Sequence, residues 1–129
     1  MKVLVDTHCW LWLLASPHRF SEQTRTILTD PATELLLSVA SVWEIIVKHA
    51  LGKLKLPLHP VEYLSSRLEQ TRTTSLPIML AHVLQLAHLP PHHRDPFDRV
   101  IIAQALIERL PILTADRQFG AYEVELISI

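Results

Sequence analysis

The chain has 129 residues, 49% of them hydrophobic, and this length and composition predict one domain over residues 1–129 with a substantial core. Twelve Lys and Arg residues against 13 Asp and Glu residues exclude a global basic field, so nucleic acid would have to be bound by a local patch. The single cysteine excludes an intrachain disulfide and a multi-cysteine zinc site. We expect no membrane association and a cytoplasmic location, because the apolar run near the N-terminus is too short to span a bilayer.

The first half of the chain alternates short apolar runs with helical patterns. Residues 2–6 ("KVLVD") and 34–39 ("ELLLSV") predict buried strands. A short helix is predicted over residues 21–30, and a longer one runs from residue 38 or 40 to Leu51, where Gly52 supplies the C-terminal stop. The apolar positions of this longer helix are Val42, Trp43, Ile46, Val47 and Ala50.

The second half continues the alternation of strands and helices. The predicted elements are a helix beginning near Pro60, a strand at 74–78, a helix at 79–89, a helix beginning near Pro96, a strand at 110–116 and an edge strand at 122–129. Such a pattern is typical of an α/β domain with a mainly parallel sheet. In these sheets the functional site usually lies beyond the carboxyl ends of the strands.

Four acidic residues are placed where they could converge at that edge. Asp6 and Asp116 end predicted strands, whereas Glu44 and Asp98 lie in predicted helices. Each also has a purely structural interpretation: Asp6 can cap a helix, Asp116 can begin a turn, and Glu44 can form a solvated pair with Lys48. The set is more informative than any one member.

The stretch "HHRDPFDRVIIAQA" (92–105) contains two acids around a proline. Asp95 can be the N-cap, Pro96 suits the first helical position, and Asp98 falls in the first turn, where a carboxylate meets the positive end of the helix dipole. Asp95 could serve as the cap alone or also support the site from behind Asp98.

Carboxylates brought together repel one another and raise each other's pKa unless a cation neutralises them. Oxygen ligands of this kind favour Mg²⁺ or Mn²⁺. A cation in such a site can activate a water molecule for hydrolysis of a phosphodiester bond, so no protein nucleophile is required. The sequence has no convincing Ser-His-Asp or Cys-His arrangement.

Four segments, in order along the whole chain, resemble the PIN domains, and specifically the VapC-type toxin ribonucleases of bacterial toxin–antitoxin pairs. They are "VLVDTHCWLWLL", "SVASVWEIIVKHALGKL", "HHRDPFDRVIIAQA" and "ILTADRQF". The resemblance implies a three-layer α/β/α sandwich around a central, mainly parallel sheet, and a homodimer. It also implies an endoribonuclease dependent on Mg²⁺ or Mn²⁺, an RNA substrate such as tRNA or ribosomal RNA, and a cognate antitoxin that covers the pocket.

The resemblance also assigns roles to individual residues. It makes four acids both metal ligands and catalytic groups: Asp6, Glu44, Asp98 and the more variable Asp116. It makes Ser41 and Thr114 supporting hydroxyls that orient carboxylates or water. The cations beside the acids, Lys48 and Arg94, are candidates for binding RNA phosphates or for balancing local charge.

Two other interpretations compete with that of a nuclease. A haloacid-dehalogenase-type phosphatase would need a second Asp where His8 stands, which counts against it. A PIN-like scaffold that binds RNA or a partner without catalysis remains the alternative. The histidines do not favour a metal site, and for His93 a hydrogen bond within its loop is the expected role.

Overall fold

The computed structural model describes residues 1–129, and it has a five-stranded sheet in which every strand pairing is parallel. The strands are β1 (Lys2–Val5), β2 (Glu34–Ser38), β3 (Thr73–Leu76), β4 (Ile112–Thr114) and β5 (Leu126–Ser128). The α-helices are α1 (Thr7–Ala15), α2 (Glu22–Thr29), α3 (Val39–Ala50), α4 (Pro60–Gln70), α5 (Leu80–Gln85) and α6 (Pro96–Glu108). This arrangement confirms the predicted α/β fold class.

The sheet is covered on both faces, which explains why its strands are apolar at successive positions. In β1, Val3 and Val5 pack into one buried cluster, and Leu4 packs into a second cluster on the opposite face. The first cluster includes residues of α1, α3 and α4, whereas the second includes residues of α6. The result is the three-layer α/β/α sandwich.

The strand order places two strand ends side by side that are far apart in the chain. The order is β3-β2-β1-β4-β5. The chain places β2 and β3 on one side of β1, and then β4 and β5 on the other side. The reversal between β1 and β4 leaves a crevice at their carboxyl ends, the usual place for a ligand site in open α/β sheets. Asp6 follows β1, and Asp116 lies two residues beyond the end of β4.

Most helix boundaries agree with the signals in the sequence. Ser21 and Ser38 are the N-caps of α2 and α3, and Gly52 has the positive φ (72°) that a helix stop requires. The predicted helix over 79–89 is shorter: α5 ends at Gln85, and residues Leu86–His88 form a 3-10 turn. None of the helices combines the length and hydropathy needed to cross a membrane.

The predicted apolar face of α3 is wrong in one respect. Trp43 and Ile46, expected to face the core, are 56% and 42% exposed, while Ser41 and Glu44 are buried. Trp43 packs its ring edge-on against Phe97 of α6 instead. The helix therefore turns a polar pair inward, toward the strand ends, and leaves large apolar side chains at the surface.

Candidate metal centre at the strand ends

Asp6 is held in place by the first residue of α1 and by the last residue of β4. Its Oδ1 accepts a hydrogen bond from the backbone N–H of Thr7 (2.8 Å), as expected for the N-cap of α1. Its Oδ2 accepts one from the hydroxyl of Thr114 (2.8 Å), and that hydroxyl oxygen also accepts from the backbone N–H of Asp116 (3.0 Å). One threonine thus connects the first acid of the chain to the fourth.

Glu44 is 2% exposed, so the interpretation of a solvated surface glutamate is wrong. Its Oε1 is 2.7 Å from the hydroxyl of Thr7, which also lies 2.8 Å from the hydroxyl of Ser41. Since a hydroxyl has one proton and a carboxylate attracts it more strongly, Thr7 donates to Glu44, and Ser41 supplies the other donor. The predicted pair with Lys48 does form, through Oε2.

The first turn of α6 presents two carboxylates with different environments. Asp95 caps the helix, because its Oδ1 accepts a hydrogen bond from the backbone N–H of Phe97 (2.8 Å), and Pro96 occupies the first position as predicted. Asp98 is half-buried, and no hydrogen bond to its carboxylate perturbs its pKa. Both oxygens of Asp98 are therefore free to bind a ligand.

Asp116 lies at the start of a 3-10 turn, Arg117–Ala121, as the predicted turn requires. Its Oδ1 accepts a hydrogen bond from the backbone N–H of Gln118 (2.9 Å), and its Oδ2 is 3.1 Å from Nε2 of His93. Potential ligand atoms of His93, Asp98 and Asp116 all lie within 4.8 Å of one another. This spacing is small enough for one cation to contact more than one of them.

The electrostatics of the cluster show that the acids converge. The pKa of Asp98 is raised to about 7, mostly by burial and then by the negative charges of Asp95, Asp6, Glu44 and Asp116, in that order. Burial also raises the pKa of Asp6, against the lowering effect of its hydrogen bonds from Thr114 and Thr7. These raised pKa values show that the negative charges of the cluster are not balanced by positive charge within the protein.

Lys48 is the cation that forms an ion pair with this acidic cluster, through Glu44. Partial burial lowers its pKa, but the hydrogen bond and charge of Glu44, with the fields of Asp95 and Asp98, outweigh that effect and raise the pKa above its usual value. The ammonium group therefore stays charged beside the acids. Lys48 also lines a cavity of about 220 Å³ next to Glu44, together with Lys53 and His8.

The structure brings together most, but not all, of the residues singled out in the sequence. Those that converge are Asp6, Ser41, Glu44, Lys48, Asp95, Asp98, Thr114 and Asp116. Arg94 is exposed in the loop before α6 and forms no ion pair with these acids. Three further residues of the cluster were not expected there: Thr7, His93 and Tyr122.

The signals for these three residues differ in strength. Thr7 follows Asp6 directly, so a hydroxyl in the first turn of the helix could have been noticed as a neighbour of the site. His93 belongs to the same motif as Asp98, but only a loop hydrogen bond was expected of it. Tyr122 has no local signal, because its hydroxyl reaches His93 from 29 residues away.

Comparison with known proteins agrees with the geometry. The model of the PIN domain family matches residues 3–125, almost the whole chain. The chain belongs to the PIN domain family. This PIN domain is also 36% identical over 75 residues to Ribonuclease VapC16 of Mycobacterium tuberculosis. That match covers 53% of each protein, so the chain spans about half the length of this curated relative.

Solved structures similar to this PIN domain support the fold over its full length. A chain of the crystal structure of VapBC2 from Rickettsia felis, bound to a DNA fragment from its promoter, has a TM-score of 0.74 at 15% identity, covering 99% of this chain and 98% of that one. A chain of VapBC-5 from Mycobacterium tuberculosis has a TM-score of 0.63 at 19% identity, with the same coverage. The resemblance found in the four sequence motifs is thus confirmed.

Proposed function

We propose that this PIN domain, over residues 1–129, is a metal-dependent endoribonuclease of the VapC type and the toxin of a cytoplasmic toxin–antitoxin pair. The observation that carries the proposal is the convergence of Asp6, Glu44, Asp98 and Asp116 at the crevice between β1 and β4. The 36% identity to Ribonuclease VapC16 supports the same reaction class.

The donor atoms of the cluster fit a divalent cation such as Mg²⁺ or Mn²⁺. Asp98 offers two free oxygens, and the pKa values of Asp98 and Asp6 are raised, so a cation would relieve a repulsion that already exists in the protein. Bound there, the cation supplies positive charge to the phosphodiester and lowers the pKa of the attacking water. Asp98 and Asp116 would hold it most directly, with Asp6 and Glu44 completing the site.

The remaining residues orient the acids and the substrate. Thr7 and Thr114 fix the carboxylates of Glu44 and Asp6, so these two do not have to reorganise when substrate binds. Lys48 holds a positive charge at the edge of the cluster, where it can contact an RNA phosphate. Arg94, exposed in the loop before α6, would add a second phosphate contact.

Two protein partners are part of the proposal, a cognate antitoxin and a second copy of the chain. Helix α5 and the residue before it expose four large apolar side chains: Met79, Leu80, Val83 and Leu84. Such a patch is typical of a surface that another protein covers. Light scattering should give twice the chain mass of 14.8 kDa for the protein alone. Leu84→Glu places a charge in this patch, so it should disrupt the contact between the two copies and give the monomer mass.

The proposal is tested by measuring metal binding and RNA cleavage on the same variants. Wild type should bind Mn²⁺ in calorimetry and cleave RNA from a mixture of tRNA and ribosomal RNA, with cleavage abolished by EDTA. Asp98→Asn and Asp6→Asn should each reduce cleavage by at least about 100-fold. Glu69→Gln, at an exposed carboxyl on α4, is the matched control and should leave both properties unchanged.

Two outcomes would contradict the proposal. Wild type that binds RNA without cleaving it, in the presence of Mn²⁺, would leave a PIN-like scaffold. Asn variants that bind Mn²⁺ as well as wild type would show that the carboxylates serve only as helix caps and turn residues.

A further inference from the structure

His93 is buried and fully hydrogen-bonded, although it lies in the loop before α6. The residue is 8% exposed, and its ring packs edge-on against Phe119 with 4.9 Å between ring centroids. Both ring nitrogens and the backbone N–H have hydrogen-bond partners, and these partners lie on the segment that follows β4. His93 therefore ties the loop before α6 to the turn that carries Asp116.

Counting protons fixes the tautomer of this ring. The backbone N–H of His93 can only donate, and it donates to the Tyr122 hydroxyl oxygen (3.0 Å). A carboxylate only accepts, so the ring nitrogen that faces Asp116 is the donor, and Nδ1 of His93, 3.1 Å from the Tyr122 hydroxyl, accepts the proton of that hydroxyl. The ring proton of a neutral His93 is then on Nε2, which donates it to Oδ2 of Asp116 (3.1 Å).

This hydrogen bond determines which way Asp116 faces. The side chain of Asp116 is 38% exposed and projects from a short 3-10 turn, so the helix and strand packing that holds Glu44 and Asp6 does not hold it. Its orientation comes from two hydrogen bonds, one from the Gln118 backbone and one from His93. In this orientation an oxygen of Asp116 lies within 4.8 Å of an oxygen of Asp98.

We propose that His93 is a positioning residue: oriented by the Tyr122 hydroxyl, it holds Asp116 beside Asp98 so that both carboxylates face one divalent cation. The inference rests on the proposed function, because it assumes that the cluster binds a cation. Hydrogen bonds that orient metal ligands in this way commonly change metal affinity by about 10–100-fold. In this arrangement Nε2 donates to Asp116, so the role of His93 is to orient a metal ligand and not to be one.

The test compares Mn²⁺ binding by the full chain with four substitutions. His93→Leu removes the donor and should weaken Mn²⁺ binding by about 10–100-fold. His93→Gln can place an amide N–H near the position of Nε2 and should recover most of the affinity. Tyr122→Phe removes the proton that sets the tautomer and should weaken binding by a smaller factor. His18→Gln, at an exposed histidine in the 3-10 turn Pro17–Arg19, should bind as wild type does.

Two spectroscopic measurements separate positioning from direct ligation. Nitrogen-15 NMR of the metal-free protein should show the proton of His93 on Nε2, and a proton on Nδ1 would overturn the inference. Pulsed electron paramagnetic resonance of the Mn²⁺ complex should show no nitrogen coupling that disappears in His93→Leu. Such a coupling would make His93 a ligand and would also overturn it.

The remaining outcomes keep the two proposals distinguishable. If wild type binds Mn²⁺ and His93→Leu binds it equally well at an unchanged melting temperature, His93 is only a packing residue and this inference fails alone. If wild type binds no Mn²⁺ at all, the proposed function fails, and the positioning role falls with it.

Discussion

The acidic cluster has two halves that differ in how completely their carboxylates are hydrogen-bonded. In the closed half, Asp6 and Glu44 are buried, and all four of their carboxylate oxygens have partners within the protein. In the open half, Asp98 has none, and Asp116 is held by one turn and one histidine. The two halves lie close enough that the charges of the closed half raise the pKa of Asp98.

The difference shows how a fold can keep several negative charges in one crevice. Buried carboxylates are tolerable where donors satisfy them, and in the closed half these donors are two hydroxyls, one backbone N–H and the Lys48 ammonium group. The unsatisfied charge is concentrated on Asp98, in the first turn of a helix and near the surface. Ligand binding is therefore expected to act mainly on the open half, while the closed half stays as it is.

The largest effect is expected from breaking the closed half with Thr7→Val. Valine has nearly the shape of threonine but leaves Oε1 of Glu44 and the hydroxyl of Ser41 without their partner in a buried site. Losing a partner to a buried polar group costs about 1–3 kcal/mol, and more for a charged group. The melting temperature should fall by roughly 10 °C, as measured by thermal unfolding at pH 7.

Thr7→Ser is the matched control for this prediction, because it keeps the hydroxyl and loses one methyl group. It should recover most of the lost stability. A Thr7→Val protein that melts within about 2 °C of wild type would mean that Glu44 does not depend on this hydroxyl.

An intermediate effect of opposite sign is expected in the open half from Asp98→Asn. The pKa of this carboxyl is about 7 when folded and near 3.8 ordinarily, so the folded state holds the proton more tightly than the unfolded state does. The contribution of this carboxyl group to the free energy of unfolding therefore decreases as pH rises from about 4 to about 7. At pH 8 without metal, the Asn variant should melt about 5 °C higher than wild type, and at pH 4 the two should be equal.

The opposing contribution of the helix dipole is smaller. Removing a carboxylate from the first turn of α6 costs about 0.5 kcal/mol, less than the relief of the repulsion. Saturating Mn²⁺ should reverse the order of the two melting temperatures at pH 8, because only wild type gains from the cation. If Asp98→Asn melts lower than wild type at pH 8 without metal, Asp98 acts chiefly as a partner of the helix dipole.

The smallest effect on stability is expected from Asp95→Asn. This variant tests whether Asp95 acts on Asp98 through its charge or only caps α6. Asparagine caps a helix about as well as aspartate does, so the melting temperature should change by less than about 2 °C. The variant removes the charge that, after burial, raises the pKa of Asp98 most. Carboxyl NMR titration should therefore place the pKa of Asp98 below its wild-type value of about 7. An unchanged Asp98 pKa would mean that Asp95 acts only as a cap.

Local patterns in the sequence were sufficient for the fold and for the positions of the acids. The strands were found because both faces of the sheet are covered and their residues are continuously apolar. Asp6 and Asp116 were found because acids at the ends of buried parallel strands must share one edge. The capping role of Asp95 was found because its neighbours, Pro96 and an acid in the first turn, form a local helix signal.

What could not be predicted depends on contacts between distant segments. The inward face of α3 was misassigned because Trp43 and Ile46 look like core residues, and only the crevice at the strand ends makes Glu44 the better residue to bury. The link from Tyr122 through His93 to Asp116 joins the loop before α6 to the turn after β4, two segments that no spacing rule connects. Such contacts are set by the tertiary packing of the turn after β4.

The hydrogen bond between the Thr114 hydroxyl and Asp6 spans 108 positions of the chain, and it has a consequence for synthesis on the ribosome. A nascent chain that ends before β4 has Asp6 but lacks the strand that pairs with β1 on this side of the sheet, as well as Thr114 and Asp116. The acidic cluster therefore cannot assemble while the protein is still being translated through its first 110 or so residues. Any activity that depends on the complete cluster therefore begins only after the last strands have emerged and folded onto β1.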